Sequence, residues 1–457
     1  MKNKILACAL MIVLLFSFSV VYAQPEGESN NSGQLNTESA EEVITAMSPH
    51  ALLVDMNTGI VIYSKNSTEK VYPSALTNIM TALLVLENCN LEEFVTASES
   101  ALSNVPSGDN KLGIVKDENL SVRQLLYAML LASSSDATNL LAEKTSGSID
   151  EFVKLMNIRA KELGMVNTNF TNPTGAHDER HYTTAEDMAI LVRVAMENET
   201  FREIVKSQSY SIPATEQNPT ARKVINKNHL VSILLRNDYF YEHATGIKTG
   251  YSPEAKSCVA ASAERRGISL LALVFEADTV DNVAQSFADC KAMFDFVFNN
   301  YVSQSIVSEG DIIAQTGVSN TRRDNKLILK SGKELSVIRY KNSPEAQITF
   351  KDNVKKTVSA PVKSGQVIGT REYFADGVSI GTVDLLADKS YKLDLITFLM
   401  NRIIAFVTSP WLFVTLAAIV FVFVMLERRR RRILRKKRRD ARKKRNRELI
   451  RRMDDFE

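Results

Sequence analysis

The stretch VYPSALTNIMTALLVLE, Val71–Glu87, opens with a proline and a small polar residue, then places apolar side chains three and four positions apart. That order reads as a turn leading into an apolar helix. Upstream, ALLVDMNTGIVIYSKN gives two strand-like runs around Asn57-Thr58-Gly59, a hairpin signal because glycine tolerates positive φ. Downstream, LSVRQLLYAMLLASSS, SIDEFVKLMNIRAKELGM and TAEDMAILVRVAMEN keep the helical period, and SCVAASAERRGISLLALVFEAD returns to strand, turn and strand. Strands at both ends with helices between predict a mixed α/β domain over residues 43–300, with an antiparallel sheet rather than βαβ repeats. From Tyr301 the pattern changes to short alternating runs such as LSVIRYK, AQITFKD and GQVIGTREYF, broken by Gly, Asn and Asp. These predict a small all-β domain over 301–395, acting as a stalk.

With 457 residues, 45% hydrophobic and 24% charged, the chain has room for a large core and two domains. Residues 1–23 set Lys2 and Lys4 before an apolar run ending at Ala23, the order of a secretory signal peptide, and residues 24–42 form a polar, acidic, flexible leader. No charge interrupts Ile403–Leu426, which is long enough as a helix to cross roughly 30 Å of hydrocarbon. Residues 427–457 carry 17 Lys/Arg against 6 Asp/Glu, a net of +11, so residues 1–426 hold −8 of the chain's +3. A basic cluster beside a span stays in the cytoplasm. The expectation is a single-pass cell-membrane protein with its main domains outside and its tail inside, drawn to anionic lipid. The tail lacks interleaved aromatics, so nucleic acid is not an expected partner. Cys89, Cys258 and Cys290 remain after Cys8 of the signal segment, an odd and widely spaced set that suits neither a disulfide framework nor a CxxC site. His177 and His181 stand four apart in a polar run without a supporting acid motif and read as surface or structural; no metal or cofactor is expected.

Seven segments occur in an order that resembles the serine D-alanyl-D-alanine carboxypeptidases, the low-molecular-mass penicillin-binding proteins. They are DMNTGIVIYSKN, YPSALTNIMTALL, LLYAMLLASSSDATNLLAE, LGMVNTNFTNPTG, HYTTAEDMAIL, INKNHLV and GIKTGYSPEAKSCVAASA. The resemblance implies a penicillin-binding or serine β-lactamase-like fold, an antiparallel sheet flanked by helices, followed by the all-β domain and one C-terminal transmembrane helix. It also implies three site elements: S-x-x-K at a helix start, S-x-N, and K-T-G on a strand. Positions three apart on a helix face the same way, which brings the lysine amine beside the serine it activates.

Here the nucleophile position is Ala75 and the base position Asn78. A methyl group has no nucleophilic atom and a neutral amide is no base near pH 7. In the second element Ser133 is kept while the asparagine position holds Ser135; the third survives as Lys248-Thr249-Gly250. The resemblance gives Lys248 and Thr249 to a terminal carboxylate, and makes the main-chain N–H groups of Ala75 and Tyr251 the oxyanion donors. Ser74 faces about 100° away from the required direction, and a literal S-x-x-K at Ser67–Lys70 lies in a polar turn and is taken as coincidence. Three readings follow. The first is a membrane-anchored family member, catalytically impaired, that binds peptidoglycan stem peptides or a cell-wall synthesis protein. The second is an active carboxypeptidase with a substitute group, and the third a purely structural wall-facing anchor.

Overall fold

The computed structural model of the protein describes residues 44–235, 238–280, 283–322 and 326–454; the signal-peptide and leader expectations lie outside them. Asn57–Gly59 turns β1 (His50–Asp55) into β2 (Val61–Lys65), as the hairpin signal requires. Two short ribbons, β3 (Phe94–Thr96) with β4 (Asn119–Ser121) and β5 (Ser209–Ile212) with β6 (Arg222–Ile225), accompany the helices. β7 (Ala244–Ser252), β8 (Lys256–Arg265) and β9 (Ile268–Ala277) complete a five-stranded antiparallel sheet in the order β2-β1-β9-β8-β7.

The period-2 alternation of strand side chains divides the core. Leu52, Val54, Ile247, Leu271, Leu273 and Phe275 face one cluster, which is filled by α1 (Asn78–Asn88), α2 (Glu99–Ser103), α3 (Val122–Ala132), α4 (Ser135–Ser146), α5 (Ile149–Glu162), α6 (Ala185–Glu197) and α7 (Glu199–Lys206). Leu53, Val259, Leu270, Ala272 and Val274 face the other, against α8 (Gln285–Asn300). Because both faces are covered, β9 reads as a continuous apolar run rather than an alternating one.

The helix starts follow from capping side chains. Ser121 and Gln124 form a reciprocal capping box at α3, with Ser121 N–H donating to Gln124 Oε1 at 2.8 Å. Ser148, Thr184 and Asn198 cap α5, α6 and α7 in the same sense, each worth about 1 kcal/mol. The loop before β4 is fixed by Glu118, fully buried, which accepts from Arg222 of β6 and from Thr215 Oγ1 at 2.8 Å.

Beyond β9 a six-stranded sheet runs in the order Ile348–Val354, Val367–Ala375, Val378–Ala387, Lys326–Ser331, Ile312–Ser319, Thr357–Ser359. Contacts divide the chain into two compact units, and the first includes Ser336–Gln347 and Ala375–Ile380 as well as the chain up to Gln304. The sequence boundary at 300/301 is therefore crossed by packing: Tyr301 and Ile338 belong to the core cluster of α8. At the C-terminal end the single helix expected over 403–426 is interrupted. α9 (Leu395–Val407) stops before Thr408 and Ser409, and α10 (Pro410–Asp454) begins at the proline. Proline lacks the N–H that would continue the ladder and disfavours helical φ/ψ in the residue before it. α10 carries the candidate membrane span, and its apolar part is exposed.

Arg222→Met should expose the dependence of this arrangement on the buried ion pair. Leaving Glu118 without its partner is expected to lower stability by about 3–5 kcal/mol, read as a reduced midpoint in denaturant unfolding; a change under about 1 kcal/mol would contradict that assignment.

Candidate functional site

The site is built on the Ser74–Thr77 turn, a short 3-10 segment that hands over to α1 at Asn78. Two glycines let it sit where it does. A Cβ on Gly250 of β7 would come 3.0 Å from Ala75 N, and one on Gly175, whose φ is +81°, would fall 1.9 Å from Ser74 O. Ser74 itself has φ +47°, a conformation that costs a non-glycine residue about 1–2 kcal/mol and persists only where its surroundings enforce it.

Beneath the turn, Thr77 Oγ1 lies 2.9 Å from His181 Nε2, and the Thr171 N–H donates to His181 Nδ1 at 3.2 Å. Nδ1 is thus an acceptor and Nε2 carries the proton that Thr77 receives. Burial pushes the imidazole down to about 4, so it is neutral at physiological pH. His181 is the structural member of its pair; His177 packs edge-on against Tyr72 at 4.7 Å.

Ser133 terminates α3 in the left-handed conformation, φ +56° and ψ +45°. This presents its hydroxyl to Lys248, whose Nζ donates to Ser133 Oγ. Lys248 is 1% exposed. Burial, reinforced by the charge of Lys227, lowers its amine to about 7. Lys227 is itself lowered by burial.

A cavity of 360 Å³ is lined by Ala75, Ser133, Thr249, Gly250 and Tyr251, with Asn110, Lys227, His229, Ser257 and Phe287. No carboxylate is among these lining residues. Most of the expected site residues are thus brought together: five line the cavity and Lys248 is bonded to one of them.

Asn78 and Ser135 turn elsewhere. Asn78, 1% exposed, donates from Nδ2 to the Pro173 and Thr174 carbonyls at 3.3 and 3.5 Å. Ser135 donates to Asp109 Oδ2 at 2.7 Å, while its N–H donates to Asn110 O at 2.8 Å. Both tie loops to helix starts. The buried Asp136 completes that attachment by accepting the N–H groups of Leu112, Gly113 and Ile114 at 2.9–3.1 Å.

The literal S-x-x-K at Ser67–Lys70 is not a site: Ser67 Oγ donates to Glu186 at 2.8 Å and Lys70 Nζ sits 3.8 Å above the Tyr182 ring. Lys227 and His229 also line the cavity, and INKNHLV, one of the seven segments, contains both. Asn110 had no comparable signal, because its place depends on Asp136 gathering the loop.

This geometry agrees with the comparisons with known proteins. Residues 35–279 match the Peptidase_S11 family, described as D-alanyl-D-alanine carboxypeptidase, and residues 301–393 match the penicillin-binding protein 5 C-terminal domain. The chain is 31% identical over 404 residues to D-alanyl-D-alanine carboxypeptidase DacF of Bacillus subtilis (strain 168), covering 87% of this chain and 97% of that protein. It is 31% identical over 259 residues to a D-alanyl-D-alanine carboxypeptidase of Streptomyces sp. (strain K15), covering 53% of this chain and 85% of that one. Among solved structures, penicillin binding protein 5 from Haemophilus influenzae matches with a TM-score of 0.56 at 25% identity, over 77% of this chain and 100% of that chain. A Streptococcus pneumoniae structure titled a peptidoglycan synthesis regulatory factor (PBP3) shares the fold, with a TM-score of 0.62 at 22% identity over 76% of this chain and 100% of that chain.

The fold is therefore a penicillin-binding-type α/β domain with a β-rich domain after it. The chain belongs to the D-alanyl-D-alanine carboxypeptidase family, which acts in cell-wall metabolism on peptidoglycan D-Ala-D-Ala stem peptides.

The neutral His181 makes the turn acid-sensitive. Its folded-state pKa lies below the unfolded value, so the unfolded chain binds the extra proton and stability is lost as pH falls from about 6.5 to about 4. A thermal melt series over that range should show the decline. His181→Gln should flatten it, and an equally steep decline in that variant would remove His181 as the cause.

Proposed function

We propose that this protein binds the D-Ala-D-Ala end of peptidoglycan stem peptides and has lost the family's serine-lysine turnover. The observation that carries the reading is Lys248, buried and bonded to Ser133 of the cavity lining, near Lys227, with no carboxylate among the cavity's lining residues to neutralise it. A terminal carboxylate is the counter-charge such a site lacks, and a charge-assisted bond to it is stronger than a neutral one. Thr249 supplies a hydroxyl beside it, Gly250 lets the peptide backbone approach the β7 edge, and the N–H groups of Ala75 and Tyr251, both residues of the cavity lining, would serve as donors to the peptide carbonyl.

Turnover needs more than this. Acyl transfer begins with attack by an oxygen whose proton a neighbouring base removes. At Ala75 there is a methyl group, and Asn78 has its amide committed to the 173–174 carbonyls. In a characterised serine protease, removing the nucleophile costs about 10⁶ in turnover.

Full-length protein in detergent should therefore release no D-alanine from a stem-peptide mimic and bind it without covalent change. Lys248→Ala should remove that binding. Affinity should be greatest below pH 7 and fall as pH rises through it, because the amine then loses the charge that the carboxylate pairs with. D-alanine release at a family member's rate would overturn the loss of turnover; binding that is unchanged in Lys248→Ala would overturn the placement of the ligand.

We further infer that α10 anchors the chain, with the main domains outside, the basic run inside near anionic headgroups, and a cell-wall synthesis protein as the alternative ligand of the same groove. The charge pattern of residues 427–457 supports this sidedness. Protease added to intact spheroplasts should remove the β-rich domain and leave a tail epitope protected; the reverse pattern would invert the topology.

A further inference from the structure

Four hydroxyl-bearing residues line the 360 Å³ cavity: Ser133, Thr249, Tyr251 and Ser257. Among the described residues only Ser133 is hydrogen-bonded to an amine, that of Lys248. Ser257 is turned to Ser286 Oγ at 2.8 Å. Ser133 is half-buried at the lining, whereas Lys248 is 1% exposed. A serine that an incoming molecule can meet thus has its amine shielded from water.

A lysine held by a carboxylate stays protonated and is no base. The charged group that acts on Lys248 is instead Lys227, a second cation, and burial adds to its effect, so the amine loses its proton at about 7. Near neutral pH the charged and neutral forms therefore coexist. In the neutral form the contact with Ser133 reverses: the Oγ–H donates and the Nζ lone pair accepts. That is the arrangement that activates a hydroxyl as a nucleophile, and buried lysines are the ones that serve as general bases.

The surroundings of Ser133 restrict what it can attack. The N–H groups of Ser133, Ser134 and Ser135 are committed to Met129 O at 3.0 Å, Ala128 O at 3.3 Å and Asn110 O at 2.8 Å. None of these three is free to meet an oxyanion forming at Ser133, and such donors are usually the largest contribution to acyl transfer. An amide, with an amine as leaving group, needs that help. An ester of an acidic alcohol needs far less, because its leaving group departs readily.

We propose that Ser133 and Lys248 form a nucleophile–base pair that takes acyl groups from activated esters, an activity separate from the peptide binding above. Ser133 Oγ bonds to the ester carbonyl carbon while its proton passes to Lys248 Nζ. The bond from that carbon to the alcohol oxygen breaks, its electron pair leaves with the oxygen, and Nζ returns the proton to it. Water then repeats the exchange: Nζ takes its proton, the water oxygen displaces Oγ, and Oγ recovers the proton as the carboxylic acid departs.

The test uses full-length protein in detergent with p-nitrophenyl acetate as probe. Release of p-nitrophenolate should exceed that of Ser133→Ala, which removes a single oxygen, and acid-quenched protein should carry an acetyl group on Ser133 that alkaline hydroxylamine removes. Lys248→Met should lower the Ser133-dependent rate by about 100-fold. That rate should rise with pH through about 7, as Nζ loses its proton. The other titratable groups of the lining are Lys227, His229 and Tyr251. Lys227→Met removes the neighbouring charge and should move the rise to higher pH. Equal rates in the unaltered protein and Ser133→Ala would overturn the proposal. So would a hydroxylamine-resistant acetyl group on Lys248, a rate indifferent to Lys248→Met, or a rise with pH that disappears in His229→Gln. Where Lys248→Met does not fold, the pH profile and the position of the acetyl group in the unaltered chain decide. Peptide binding is read separately: a chain that binds the D-Ala-D-Ala mimic but leaves Ser133 unacetylated rejects the ester activity alone, and the converse rejects the peptide reading alone.

Discussion

The Ser74–Thr77 turn rests between a strand edge and a loop at distances that admit no extra carbon, and the rest of the site depends on that seating. Gly250 and Gly175 are the two points of contact, and either one carrying a methyl would have to push against main-chain atoms. The left-handed backbone at Ser74 is the local consequence. Backbone atoms, unlike the end of a long side chain, have few ways to yield. Position 75 is therefore fixed relative to β7 whatever residue occupies it, which is why a chain with alanine there retains the family's architecture.

Within that frame the two kinds of polar residue have separated roles. Ser133 lines the cavity with Lys248 bonded behind it, whereas Asn78 and Ser135 belong to the hydrogen bonding that holds loops 172–176 and 109–114 to helix starts. A buried amine without a carboxylate is expensive to keep charged. The protein lessens that cost by lowering the proton affinity of Lys248, and a carboxylate ligand would reverse the effect.

Much of this architecture was legible in the residues. Periodicity located α1, α3, α5 and α6 and the β8–β9 hairpin, because each buries one consistent stripe or face. The Asn-Thr-Gly turn is a local signal that needs no tertiary partner. What could not be read were the consequences of distance. Asn110 reaches the cavity through the attachment of its loop to Ser135 and to Asp136, the latter 22 to 24 residues away from the N–H groups it gathers. The burial of His181 inside a polar run depends on Thr77, 104 positions earlier. The sequence shows Asn78 where the resemblance implies lysine, but the direction of its amide belongs to the packing of the 173–174 segment.

The break at Thr408–Ser409 sets the length of the candidate membrane span. From Pro410 to Leu426 the uncharged part of α10 spans about 26 Å at the ordinary helical rise, a little less than the hydrocarbon thickness of an average bilayer. A span of that length suffers hydrophobic mismatch and has no surplus to absorb by tilting. If α10 crosses a bilayer, such a helix would stand close to the normal and draw the lipid inward around it.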